Sequence, residues 1–118
     1  MDGDGAGMDL TVLAVPDCPN APVMQQRLAE VLADWPGVAL QWRVIADEAD
    51  AARWRMHGSP TLLVNGHDPF AQAGSGPALA CRMYRAADGS LDGAPSVAAL
   101  RQALEQAAGA GTAPIARC

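Results

Sequence analysis

The chemistry open to this chain rests on three cysteines, Cys18, Cys81 and Cys118. Cys18 lies in the stretch TVLAVPDCPNAP from Thr11 to Pro22, an apolar run that stops at Pro16-Asp17-Cys18-Pro19 and gives way to a helical pattern. A cysteine carried off a buried strand onto the first turn of a helix meets unpaired backbone N–H groups and the positive end of the helix dipole. Such surroundings favour a reactive thiolate. Asp17 works the other way, because a neighbouring carboxylate disfavours a second negative charge. The competing reading is a small buried hydrophobe that ends a strand.

Cys81 is the second candidate. Paired with Cys18 it would form a disulfide, for which the Cα atoms must approach within about 7 Å. The same pair would otherwise make a two-thiolate site for a soft metal such as Hg(II), Cu(I) or Zn(II). Failing both, Cys81 faces the core beside Met83. Cys118, in the terminal stretch GAGTAPIARC, reads as an exposed thiol prone to intermolecular disulfides. His57 precedes Pro60 and either hydrogen-bonds a group bound near Cys18 or caps the end of its own helix. His67 reads as a surface residue, and Asp68 and Asp92 as turn residues. The odd number of cysteines makes no disulfide framework, and nothing has zinc-finger spacing.

The elements that must position these residues follow from periodicity. Met8 to Val15 is a nearly continuous apolar run, as in a strand buried on both faces. From Asn20 to Asp34 the residues Met24, Leu28, Val31, Leu32 and Trp35 share one helical face, with Pro19 and Pro22 in the first turn and Pro36-Gly37 as the stop. Val38 to Ile45 alternates as a second strand, Val38, Leu40, Trp42 and Val44 against Ala39, Gln41 and Arg43, with one face buried and Trp42 expected in the core. Asp47 is expected to cap a short helix through Met56 that Gly58 closes. Ser59-Pro60 leads into the strand Thr61-Leu62-Leu63-Val64, and Asn65-Gly66 is a hairpin signal whose returning strand is limited by Asp68-Pro69. Ala71 to Ala80 reads as a loop and Cys81 to Arg85 as a further strand segment, turned by Asp88-Gly89. Ser96 caps a last helix ended by Gly109. The order predicts a three-layer α/β domain over residues 8–108, with a mixed sheet and flexible ends at 1–7 and 109–118.

Composition narrows the function classes. The 118 residues carry a net charge of −5, and all eight basic residues are scattered arginines, which argues against a nucleic-acid surface. No apolar stretch approaches the roughly 20 residues of a membrane span, and the start MDGDGAGMDL lacks the pattern of a secretory signal. A cytoplasmic protein with no required cofactor is the expectation.

With Cys18 after the first strand and Ser59-Pro60-Thr61 before the third, the chain resembles the thioredoxin-like superfamily. That resemblance implies a β-α-β-α-β-β-α domain in which Cys18 is the nucleophile. It implies a cis Pro60 loop set against Cys18, with Ser59, Pro60, Thr61 and His57 lining the substrate site. The family motif Cys-x-x-Cys is replaced here by Cys18-Pro19-Asn20-Ala21, which excludes a two-cysteine reaction within that motif. A narrower likeness, carried by VPDCPN, by HGSPTLLVNGHDPFA from His57 to Ala71 and by CRMYR from Cys81 to Arg85, is to small bacterial proteins labelled thioredoxin family or alkylmercury lyase-like. It implies Cys18 and Cys81 as mercury ligands and Asp17 as proton donor to a departing carbon. Three readings stay open: a thiol-dependent redox protein acting on a thiol or disulfide partner, a handler of organomercurials or soft metal ions, and a non-catalytic binding module.

Overall fold

A computed structural model describes residues 8–71, 76–85 and 88–112, with side chains through residue 108. The leading residues 1–7 and the expected thiol Cys118 lie outside the described residues. The central strand β1 spans Asp9–Ala14 and is followed by helix α1, Ala21–Leu32. Strand β2, Ala39–Val44, runs parallel to β1 in an unbroken register from Asp9 opposite Ala39 to Ala14 opposite Val44. Helix α2 is Glu48–Trp54, strand β3 is His57–Ser59 and strand β4 is Thr61–Val64. β4 lies antiparallel on the other side of β1, with Leu10 opposite Val64 and Leu13 opposite Thr61, which gives the mixed order β2-β1-β4. Strand β5, Ala78–Cys81, pairs in parallel with β3. The short strands β6, Tyr84–Arg85, and β7, Leu91–Asp92, form an antiparallel pair, and helix α3 is Val97–Thr112.

Alternation along β1 and β4 divides the core between the two faces of the sheet. Leu10, Val12, Leu62 and Val64 pack with Met24, Leu28 and Val31 of α1 and with Leu100 and Leu104 of α3. Leu13 and Leu63 point the other way, into a smaller cluster with Ile45, Ala51 and Met56. Each of these large side chains contributes about 1.5–3 kcal/mol on burial. The molecule is therefore a mixed α/β domain with α1 and α3 on one face and α2 on the other.

Several sequence expectations are corrected. Helix α2 ends earlier than Gly58: Asp47 caps it by accepting from the Asp50 amide at 2.8 Å, and Arg55 closes it in the left-handed region, with φ of 58°. Gly58 instead belongs to β3, at φ of 100°, where a Cβ would sit 2.9 Å from the Arg82 Cβ. The glycine lets β3 approach the chain at Ala80–Arg82 closely. β5 occupies the end of the stretch expected to be a loop, because its pairing with β3 is non-local and leaves no periodic trace. The return after Asn65-Gly66 is a single bridge between Val64 and His67, in keeping with the block at Asp68-Pro69. α3 continues through Gly109 to Thr112, the last described residue. Trp42 is not a core residue: β2 is an edge strand, and much of Trp42 and Val44 is exposed. Among the described residues no helix is long and apolar enough to cross a membrane.

Candidate functional site

β1 ends at Ala14, and the chain then turns back on itself. The Cys18 amide donates to Val15 O at 3.2 Å, the Cys18 carbonyl accepts from the Ala21 amide at 3.3 Å, and Asp17 takes a φ of 60°. Cys18 therefore lies in the turn, two residues ahead of the α1 N-cap Asn20, and not on the first helical turn. The reason is the double turn itself: Val15–Cys18 and Cys18–Ala21 bonds occupy the span in which a helix starting at Pro19 would have to wind. Pro22 does sit in the first turn of α1, while Pro19 precedes the cap. The Cys18 side chain is turned inward, at 6% exposure, although Asp17 and Pro19 on either side are exposed.

The Ser59-Pro60-Thr61 segment is fastened beside this turn. The Val15 amide donates to Ser59 Oγ at 3.1 Å, and Thr61 faces Leu13 in the antiparallel register. The Ser59–Pro60 bond is cis. Ser59, Pro60 and Thr61 are all buried. Thr61 Oγ1 donates to Gly58 O at 2.5 Å, which ties the two ends of the segment together.

Three residues with no assigned role in the sequence reading complete the site. The Tyr84 hydroxyl donates to the Pro60 carbonyl oxygen. Burial pushes the Tyr84 phenol well above its ordinary value, the Arg82 guanidinium opposes this, and the charges of Asp68 and Cys18 add to the rise. Tyr84 thus lies within electrostatic reach of both Cys18 and a buried ion pair. In that pair Arg82 Nη1 is 2.6 Å from Asp68 Oδ2, with side-chain exposures of only 11% and 5%. Arg82 also donates to Phe70 O at 2.6 Å, reaches Thr61 Oγ1 at 3.4 Å, and stacks over the Tyr84 ring at 4.6 Å. Phe70 meets the same ring edge-on at 5.6 Å. Asp68, expected to be a plain turn residue, also accepts from the Phe70 amide at 2.8 Å, and so serves turn and ion pair together. The i, i+2 spacing of Arg82 and Tyr84 in CRMYR was the available signal, since it places both on one side of an extended segment.

Cys81 and Cys18 are not joined in a disulfide. Cys81 is exposed at the end of β5, opposite Ser59 in the β3–β5 register, and both cysteines are free thiols. It lines a cleft of about 450 Å³ together with His57, Phe70, Arg82, Met83 and Tyr84. His57 is a β3 residue and no helix cap: its Nδ1 lies 3.1 Å from Gly76 O, so that nitrogen carries the proton. Asp17 is exposed on the turn. Among the described residues no three or more His, Cys, Asp or Glu side chains come together as a metal-binding group, so a soft-metal reading rests on Cys18 and Cys81.

The segment leading into α3 packs against the start and middle of α1. A Cβ at Gly93 would overlap the Asn20 amide, and Arg27 of α1 donates to Ala94 O at 3.0 Å and Pro95 O at 3.2 Å while pairing with Asp92 at 3.0 Å. The hydrogen bond from Arg27 and that from the Gly93 amide hold the Asp92 carboxyl below the usual carboxylate range.

The fold and site define a mixed α/β domain with a buried thiol at the carboxyl end of its central strand. No family model, no curated protein and no solved structure matches the chain.

Proposed function

We propose that this is a thiol-dependent redox protein of thioredoxin-like architecture, in which Cys18 is the nucleophile. The observation that carries the proposal is the fastening of Ser59-Pro60-Thr61 beside the turn that delivers Cys18 from central β1, through the Val15 amide and Ser59 Oγ. The order β2-β1-β4, with α1 and α3 on one face and α2 on the other, supports the same reading. A reducing compartment such as the cytoplasm would keep Cys18 in the free form the reaction requires.

In the proposed reaction the Cys18 thiolate attacks one sulfur of a disulfide R–S–S–R′. The S–S bond breaks, Cys18–S–S–R forms, and R′–S⁻ leaves and takes up a proton from solvent. An external thiolate R″–S⁻ then attacks the R sulfur of the mixed disulfide, so that R–S–S–R″ forms and Cys18 leaves as thiolate; were Cys81 the resolving group, it would attack the Cys18 sulfur, expel R–S⁻ and form a Cys18–Cys81 disulfide that two equivalents of external thiol reduce. Tyr84 holds the Pro60 carbonyl and does not transfer a proton in this scheme. Because Cys18 is turned inward, a substrate sulfur must reach it past the exposed Asp17 and Pro19.

The test is turnover of a small aromatic disulfide by dithiothreitol with catalytic protein. Acceleration lost in Cys18→Ser and kept in Cys81→Ser supports the proposal. Acceleration that survives Cys18→Ser refutes it.

A further inference from the structure

We propose that β2 is a self-association edge, through which two copies of this chain join their sheets about a two-fold axis at Trp42. The occupant is a second copy, and backbone direction shows why. The Ile45 amide donates to Ala14 O at 2.8 Å, so Ile45 points its hydrogen-bonding groups at β1. Successive residues of a strand alternate in this respect, so Gln41 and Arg43 also face β1. Leu40, Trp42 and Val44 therefore turn their N–H and C=O groups to the other edge, where no strand pairs among the described residues.

Side chains alternate as well. The Arg43 guanidinium lies 4.2 Å over the Trp54 ring of α2, which places Gln41 and Arg43 on the α2 face. Leu40, Trp42 and Val44 share the opposite face, where Trp42 is 40% and Val44 65% exposed. Natural edge strands are guarded by proline, bulges or outward charge. β2 has no proline, its register with β1 is unbroken over six pairs, and its one charge is folded onto Trp54.

Antiparallel pairing about Trp42 uses all of these features at once. Trp42 faces Trp42 of the second copy, Leu40 faces Val44, and Gln41 faces Arg43. The three outward residues fall in hydrogen-bonded pairs, apolar residues meet apolar residues, and no like charges are opposed. The sheet β2-β1-β4 grows from three strands to six. One strand pair lies toward the low end of specific interfaces, below about 1,200 Å² in total, the class of weak, transient contacts, so association is sought in the range of about 1–100 μM.

The test is sedimentation equilibrium of the whole chain under reducing conditions, from about 1 to about 300 μM to bracket that range. The wild type should pass from monomer to dimer. Trp42→Asp, which opposes two carboxylates, should weaken the dimer at least about tenfold. Val44→Pro removes an outward N–H without touching the bonds to β1, and should have a similar effect with circular dichroism unchanged. Trp42→Cys, in a Cys81→Ser and Cys118→Ser background, should oxidise to a dimer cross-linked at 42, since hydrogen-bonded pairs place Cα atoms about 5.5 Å apart. A monomer throughout, or a dimer unmoved by both Trp42→Asp and Val44→Pro, overturns the proposal.

Discussion

Replacing Asp68 by alanine leaves the Arg82 guanidinium, whose side chain is 11% exposed, without its carboxylate. What remains around it is uncharged: Phe70 O at 2.6 Å, Thr61 Oγ1 at 3.4 Å and the Tyr84 ring at 4.6 Å. Removing one partner of a buried ion pair costs about 3–5 kcal/mol, chiefly because the other charge stays buried and unpaired. For a domain of this length about 1 kcal/mol shifts the thermal midpoint by roughly 4 °C, so Asp68→Ala should lower it by about 12–20 °C. The double variant Asp68→Leu, Arg82→Met removes both charges, and should be more stable than Asp68→Ala alone. The assay is urea and thermal unfolding followed by circular dichroism for the wild type, both singles and the double. A loss below about 1 kcal/mol for Asp68→Ala, or single losses that simply add in the double, would refute the claim that a desolvated charge pair underlies Tyr84.

Other consequences follow from the same geometry. Tyr84→Phe removes the donor to the Pro60 carbonyl and should cost about 1–3 kcal/mol in urea unfolding, with the aromatic packing on Phe70 retained. Gly58→Ala places a Cβ at 2.9 Å from the Arg82 Cβ at a φ of 100°, and should lose more than about 1 kcal/mol by the same measurement, whereas Gly66→Ala, open at its Cβ, bears only the backbone cost. The Asp92 carboxyl is held low in the folded state by Arg27 and Gly93, so its stabilising contribution is full above the unfolded value of about 3.9 and is lost as pH falls through the lower folded value. Thermal scans from about pH 5 down to about pH 2.5 should therefore show a steeper loss for the wild type than for Asp92→Asn.

Where the fold was legible in the sequence, a local rule was decisive. The apolar run of β1, the shared face of Met24, Leu28 and Val31, the cap at Asp47 and the turn at Asn65-Gly66 each depend on neighbours within a few residues. That the Ser59–Pro60 segment meets the chain just beyond β1, at Val15, was legible through topology, since a parallel crossover followed by an antiparallel strand brings both to one end of β1. The rest required tertiary contacts. Arg82 reaches Asp68 across fourteen residues and Tyr84 reaches Pro60 across twenty-four, with no spacing rule to reveal either. Alternation in β2 marked Trp42 as a core residue because periodicity reports which residues share a face, whereas exposure depends on whether a helix covers that face. Placing Cys18 on the helix failed for a smaller reason, a double turn that moves the N-cap to Asn20.

The most direct test of the proposed function is to identify the sulfur that forms the mixed disulfide. A Cys118→Ser protein is mixed with one equivalent of a small aromatic disulfide, quenched with acid, digested and mapped by mass spectrometry. The mechanism requires the adduct on the peptide containing Cys18, formed ahead of any at the exposed Cys81. An adduct confined to Cys81, with Cys18 unmodified until the protein unfolds, would contradict it and leave Cys18 as a buried packing residue.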